Sequence, residues 1–428
     1  MGKEGLIVVK FGGSSLANSE RIKGAAIIVE SNSSRRFVVV SAPGRDDSER
    51  EKVTDLLIKG QMTDVRRRFI DIGSGLNITK MNDWLGEVES GAKANDSEWL
   101  KSRGEWLMAK VFAQFLGGSF VDAQELIKLR ENDEIDPFTY TTIREQLSED
   151  TVYVIPGFYG QNKDTGAIRC FARGGSDITG AIIAKGVGAR LYENWTDVDG
   201  IRSADPRIIP DAKGIAQITY DEIRELGYRG TEVLQMDSVI PALQARIPIN
   251  VRNSFNPDHP GTAIVEQRFS AQEEQIIGLA SRKDLVSFQI TISGMNKRVG
   301  VSAHISRIFA EHGVSFEHNP TGIDTMSVIC HTDQLPDGRE QGIMNQIYQE
   351  LNPDSLTLVE DMGLVSIVGQ RIKTQPTEVQ AKLYTALSNA HIKTDSGMHS
   401  TQGVSTVISV SNSDVEHTLE VLYNTFIR

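Results

Sequence analysis

Short, continuously apolar runs alternate with segments of helical periodicity through the first half of the chain. Residues 6–11 predict a strand, 19–31 a helix with Ser19 as its cap, and 37–41 a second strand apolar on both faces, which together make a βαβ opening. A helix begins at 53–57, a long amphipathic one covers 99–116, and a strand over 152–155 ends at Pro156-Gly157. After Asp177 an Ala/Ile/Gly-rich stretch to 188 predicts a closely packed helix, followed by a strand over 189–194. Alternation of this kind predicts an α/β fold with a mainly parallel central sheet and helices on both faces. Ligands of such sheets bind at the carboxyl ends of the strands, where Lys10, Ser41 and Thr196 fall.

The texture changes near residue 265. The turn-rich segment 256–261 closes the first domain, expected over 1–266, and the polar run that follows predicts a linker over 267–284. Beyond it, the apolar pattern of 285–290 is echoed by 364–369, about 79 residues on. Each copy is followed by a helix with a spaced apolar face, Ile305/Ile308/Phe309 in one and Val379/Leu383/Leu387 in the other, and then by a short strand and a hairpin. Two α+β units of βαββ pattern are expected, over 285–358 and 359–428, consecutive or interleaved; two unrelated α+β units are the alternative.

With 428 residues the chain is long enough for two or three domains. Its net charge of −12, with no compensating basic block, argues against a nucleic-acid partner. No apolar stretch approaches a membrane span and no secretory segment is expected, so a cytoplasmic protein is expected. The two cysteines, Cys170 and Cys330, suit a reduced compartment as small core residues. All eight histidines lie at or beyond His259. An active site in the first half therefore has no Ser-His-Asp system, no His-rich zinc site and no histidine acid/base chemistry. Lysine, arginine, carboxylates, backbone amides and bound Mg²⁺ remain, and phosphoryl transfer suits them because it depends on positioning and charge neutralisation. An acceptor that is itself an ionised carboxylate needs no general base.

Lys10 closes the first strand and is followed at once by Phe11-Gly12-Gly13-Ser14-Ser15. Paired glycines let backbone N–H groups approach an anion, and the ammonium adds a point charge beside them, so this is a phosphate site in outline. The lysine precedes the glycines, unlike a P-loop, and no GxGxxG occurs at this turn. An ordinary strand-to-helix turn is the other reading of these residues.

KFGGSS at the N-terminus, RGGSD over 173–177, WTDVDG over 195–200 and ADPR over 204–207 occur in an order that resembles the aspartate kinases, and the paired C-terminal units resemble their regulatory ACT domains. The resemblance covers essentially the whole chain. It implies an amino-acid-kinase fold followed by two ACT domains, with ATP- and Mg²⁺-dependent phosphorylation of the L-aspartate side-chain carboxylate. Lys10 and Asp177 would be catalytic, Lys10 neutralising the transferring phosphoryl group beside Gly12, Gly13 and Ser14. Asp177 could equally cap its helix. Thr196, Asp197 and Arg207 would complete the nucleotide site, with Mg²⁺ bound through the ATP phosphates and no direct protein ligand. Ser41, Thr54, Glu105, Arg173, Gly174, Gly175 and Ser176 would hold aspartate, Arg173 forking onto a carboxylate and Glu105 accepting the ammonium.

Two residues depart from the family pattern. Arg202 stands where many members have tyrosine, and Glu232 replaces a lysine near the adenine; the two are expected to face each other over the nucleotide. In the C-terminal half, Met295, Gly300, Val301, Ser315, Phe316, Glu317 and Asp324 match the family's effector loop and strand, which implies lysine as inhibitor and a homodimer or higher oligomer built through ACT domains. The alternative for these loops is a purely architectural role between the ACT units. Other readings of the whole chain are a different amino-acid kinase, such as one acting on glutamate, or an amino-acid sensor with a decayed kinase domain.

Overall fold

The computed structural model describes residues 5–92, 96–172, 174–228, 236–268, 275–399 and 403–428. They divide into two compact units. One comprises the described parts of Met1–Arg202, Gly214–Gly227 and Glu232–Phe269; the other, those of Ser203–Lys213, Tyr228–Thr231 and Ser270–Arg428.

In the first unit the strands are β1 (Ile7–Phe11), β2 (Arg35–Val40), β3 (Ser119–Phe120), β4 (Lys128–Leu129), β5 (Tyr153–Pro156), β6 (Tyr159–Asn162), β7 (Ile168–Cys170), β8 (Leu191–Thr196), β9 (Gln217–Thr219), β10 (Ile249–Asn253) and β11 (Thr262–Val265). Eight of them form one sheet in the order β3-β5-β2-β1-β8-β10-β11-β9, and β4, β6 and β7 make a small second sheet. Every pair in the large sheet is parallel except β10 with β11. The pleat explains the layers. Ile7, Val9 and Phe11 point into a core shared with the helices Ser19–Glu30, Met62–Gly75, Met81–Gly91 and Ser97–Leu116. Lys10 points to the opposite face, against the helix Gly175–Val187. One cap and one helix start differ from expectation. Asn18 rather than Ser19 caps the first helix, its side chain accepting from the Arg21 N–H, and Asp96 opens the long helix at Ser97.

The second unit carries β12 (Ile276–Thr291), β13 (Thr325–His331), β14 (Ser355–Gly369), β15 (Ser396–His399) and β16 (Ser405–Ser411) in one antiparallel sheet ordered β13-β12-β14-β16-β15. The two long strands each serve two cores. The stretch 285–291 of β12 pairs with β13 and with 355–362 of β14, and helices Val301–Glu311 and Arg339–Leu351 cover that part. The stretch 276–282 pairs with 364–369, and helices Pro376–Asn389 and Val415–Phe426 bury Leu383, Leu387, Leu419 and Leu422 there. Both strands pivot at an aspartate of positive φ, Asp284 and Asp361, each at 61°. The repeat is therefore interleaved. The chain expected as a linker over 267–284 is strand from Ile276 onward, because its apolar Ile276 and Leu279 complete the second core. Each copy also has a second helix beyond the βαββ pattern.

One segment departs from the expected division at 266. Ser203–Lys213 belongs to the second unit, where Ala204, Ile209 and Ala212 are buried with Leu279 and Tyr423. The Tyr423 hydroxyl lies 3.2 Å from Ser203 Oγ and accepts the Lys213 N–H at 2.8 Å.

Candidate active site

The carboxyl ends of β5, β2, β1 and β8 lie side by side in the sheet, with Lys10 near the end of β1. In the parallel register Lys10 lies between Val39 of β2 and Asn194 of β8. Its Nζ sits 2.7 Å from Asp177 Oδ1, and both side chains are largely buried. Asp177 stands in the first turn of the helix Gly175–Val187, which begins after Gly174 in the left-handed region at φ 77°. Close packing explains the glycines around it. A Cβ on Gly157 would lie 2.6 Å from Ser176, and one on Gly175 would lie 2.6 Å from the Phe158 ring.

The KFGG turn is knitted to its neighbours. The Gly12 N–H donates to the Trp195 carbonyl at 2.9 Å, so it ties β1 to β8 and is not available to a ligand as the sequence reading expected. Gly13 packs on the next loop: its carbonyl accepts the Gly44 N–H at 2.8 Å, and a Cβ on Gly13 would come 2.8 Å from the Ala42 carbonyl oxygen. Ser15 Oγ is 2.8 Å from Ser254 Oγ, which also donates to the Thr196 carbonyl. Thr196 ends β8 and its hydroxyl donates to the exposed Asp197 at 3.1 Å.

Ser41 follows β2, its N–H bonded to the Phe11 carbonyl, and Thr54 lies in the first turn of the helix Val53–Ile58. The long helix Ser97–Leu116 approaches them through Gly104, where a Cβ would meet Ala42 at 2.8 Å and Val53 at 3.2 Å. Glu105 is thereby driven inside. It is 4% exposed, its Oε2 has no hydrogen-bond partner among the described residues, and burial raises its pKa to about 8 against the opposing pull of the Ala42 N–H. A buried carboxylate with a free oxygen is costly unless a cation comes to it.

Lys10, Gly12, Gly13, Ser14, Ser41, Thr54, Glu105, Gly174, Gly175, Ser176, Asp177, Thr196 and Asp197 thus all belong to the first unit, at or beside these strand ends. Arg202 is exposed, bridged to Gly214, and contributes to lowering the Asp199 pKa, of which the Asn253 hydrogen bond is the main cause. Arg207 falls in the second unit, in a 2.6 Å ion pair with Asp205. Arg173 and Glu232 lie outside the described residues, so the expected Arg202–Glu232 pairing does as well. The sequence reading missed Asn194, Ser254 and Asn253. Asn194 ends a predicted strand and so had a positional signal, whereas Asn253 and Ser254 end and follow β10, which was not among the predicted strands, and none of the three bears a charge.

The effector residues lie at two places in the second unit. The Asp324 carboxylate accepts the Gly294 N–H at 2.8 Å, beside Met295, with Gly300 at φ 89° opening the helix at Val301. Phe316 packs edge-on to Phe309, and Glu317, ion-paired to Arg282 at 2.7 Å, is bonded through its N–H to Ile329. Along the hairpin arm, Ile329 and Asp324 are about 16 Å apart at the rise of an extended strand. Within one chain the two groups do not close on a single small ligand.

The family model for the amino acid kinase family matches residues 5–253. Aspartokinase 3 of Bacillus subtilis is 32% identical over 98% of this chain and 98% of its own length. The chain belongs to the aspartokinase family. The crystal structure of the Clostridium acetobutylicum aspartate kinase superposes with a TM-score of 0.89 at 34% identity, over 99% of this chain and 100% of that one. Escherichia coli aspartokinase III, solved with lysine and aspartate, shares the fold at 22% identity with a TM-score of 0.77, over 99% and 100% of the two chains. The protein is accordingly an aspartate kinase with a regulatory C-terminal half, and the paired C-terminal units of the sequence reading are ACT domains.

Proposed function

We propose that phosphoryl transfer to the aspartate side chain takes place at the carboxyl ends of β1, β2, β5 and β8, and the observation that carries this reading is the buried Lys10–Asp177 pair, supported by the buried Glu105, whose Oε2 has no hydrogen-bond partner among the described residues. Lys10 neutralises charge on the γ-phosphoryl oxygens as the bond from ADP breaks and the bond to the aspartate carboxylate forms. The amides of Gly13 and Ser14 add donors, while Gly12 keeps the turn in place. The glycine turn, the ammonium and the exposed Asp197 carboxylate suit a nucleotide carrying Mg²⁺, which supplies further charge neutralisation between the phosphates when bound.

Aspartate is held with its ammonium on Glu105 and a carboxylate on Arg173, with Ser41, Thr54, Gly174, Gly175 and Ser176 around it. The nucleotide extends over Thr196 and Asp197, with Arg202 and Glu232 as its outer contacts. Lysine is the proposed inhibitor. The protein works in the cytoplasm as a homodimer or larger assembly. Exposed Val299 and Ile323, beside Met295 and Asp324, support an interface on the first ACT edge. Two-fold antiparallel pairing of that edge would set the Ser315–Glu317 end of the arm in one protomer against the other end of the arm in its partner.

The test is steady-state kinetics of Glu105→Gln and Arg173→Ala. Each variant is expected to raise the aspartate KM at least tenfold with the ATP KM within about threefold. A rise confined to the ATP term would move these residues to the nucleotide site.

A further inference from the structure

Asn194 is the one uncharged polar side chain in direct contact with both members of the catalytic pair among the described residues. It is 3% exposed and directly opposite Lys10 in the β1–β8 register. Its Nδ2 donates to Asp177 Oδ1 at 3.0 Å, and its Oδ1 accepts from Lys10 Nζ at 3.4 Å. With the 2.7 Å ion pair these contacts close a three-membered ring. Two residues earlier on the same face of β8, the Tyr192 hydroxyl donates to the Asp177 backbone carbonyl at 3.2 Å. Side chain and main chain of Asp177 are thus both gripped from β8. On the other face of that strand Glu193 pairs with both Arg35 and Arg252.

We infer that Asn194 is a positioning residue for phosphoryl transfer, holding the Asp177 carboxylate in place while Lys10 shifts its charge toward the transferring group. The inference rests on the assignment of Lys10 and Asp177 as the catalytic pair. When the ammonium turns to phosphate oxygens, Asp177 Oδ1 loses part of its strongest partner, and the amide is the donor that remains. An apolar residue at this place would leave Oδ1 on Lys10 alone. A carboxylate would set a second negative charge against Lys10 and compete with the phosphates for it. The neutral amide presents a donor to the carboxylate and an acceptor to the ammonium and does neither.

The test compares Asn194→Leu and Asn194→Asp with the wild type, with Lys10→Met in parallel and circular dichroism as the check of folding. Asn194→Leu is expected to lower kcat about 10- to 100-fold, the scale of a small misplacement of a catalytic group, with both KM values within about threefold. In Asn194→Asp the new carboxyl is protonated at low pH, where its O–H replaces the amide donor; as pH rises it ionises, and the second charge holds Lys10 back. Its kcat relative to wild type should therefore fall at least tenfold between about pH 5.5 and pH 9, a limb that a merely structural role would not produce. If Asn194→Leu does not fold, this pH profile decides alone. A folded Asn194→Leu within twofold of wild-type kcat, or a profile of Asn194→Asp parallel to wild type, overturns the inference. Near-wild-type turnover in Lys10→Met would instead overturn the catalytic pair on which it rests.

Discussion

Glu105 shows how much chemistry a single buried residue can carry. A carboxyl with its pKa raised to about 8 by burial is mostly protonated at neutral pH in the unliganded enzyme, and an ammonium bound beside it favours the ionised form. Aspartate binding then expels a proton, so the aspartate KM should fall as pH rises from about 6 to 8, by up to about tenfold per unit. Kinetics over that range should show a flat KM in Glu105→Gln; a slope equal to wild type would place the titrating group elsewhere. The sign for stability is opposite. The folded-state pKa lies above the unfolded one, so the contribution of neutral Glu105 is complete below the ordinary carboxylate range and is lost as pH rises through about 8. Lys10 and Asp177 were legible in the sequence because charge at a glycine turn and after RGGS is conspicuous. Asn194 and the free oxygen of Glu105 were not, since they arise only when β8 and the helix Ser97–Leu116 are brought against β1.

At the scale of elements, glycine decides how near helices come to the sheet. In the helix Gly175–Val187 a Cβ on Gly180 would lie 2.4 Å from the Tyr192 hydroxyl, whereas at Gly24 in the helix Ser19–Glu30 nothing lies within 4 Å. Helix propensity alone favours alanine at both sites by up to about 1 kcal/mol. Gly24→Ala should therefore stabilise the protein by up to that amount in urea unfolding. Gly180→Ala should destabilise it by about 1–3 kcal/mol, the range for overpacking, and should also lower turnover by pushing Asp177 off β8. Equal midpoints for the two variants would contradict this account of the packing. Strands β1, β2, β5 and β8 of the first unit were readable as short runs bounded by turns, whereas the two-residue β3 and the strands β9 to β11 were not predicted. Nor was the crossover of β12 and β14. A strand that leaves one core for another at Asp284 and Asp361 keeps its apolar pattern throughout, and only the partners on either side reveal the change.

For the whole molecule, the regulatory half is built so that its two ACT cores share their central strands, and the segment Ser203–Lys213 is buried in the second of them. An effector that rearranges this sheet therefore acts on chain that is continuous with the WTDVDG turn. Glu317→Ala and Asp324→Ala should each shift the lysine inhibition midpoint upward at least tenfold with uninhibited turnover within about twofold; a near-complete switch requires lysine to prefer one state by roughly 5 kcal/mol. Unchanged midpoints in both variants would remove these residues from the effector site. Inhibition of the wild type by threonine and not by lysine would overturn the choice of effector. That two domains existed was plain from the repeat, but the assignment of 203–213 was hidden, because its apolar residues suit either core.

The central claim is that Lys10, delivered off β1 and held by Asp177, carries the charge of the transferring phosphoryl group. Aspartate-dependent ADP release by Lys10→Met, measured beside wild type at saturating substrates, tests it most directly. The account predicts a loss of about 100-fold or more in turnover, the scale of removing one preorganised charge donor, with ATP and aspartate binding within several-fold. Turnover near that of the wild type would contradict it.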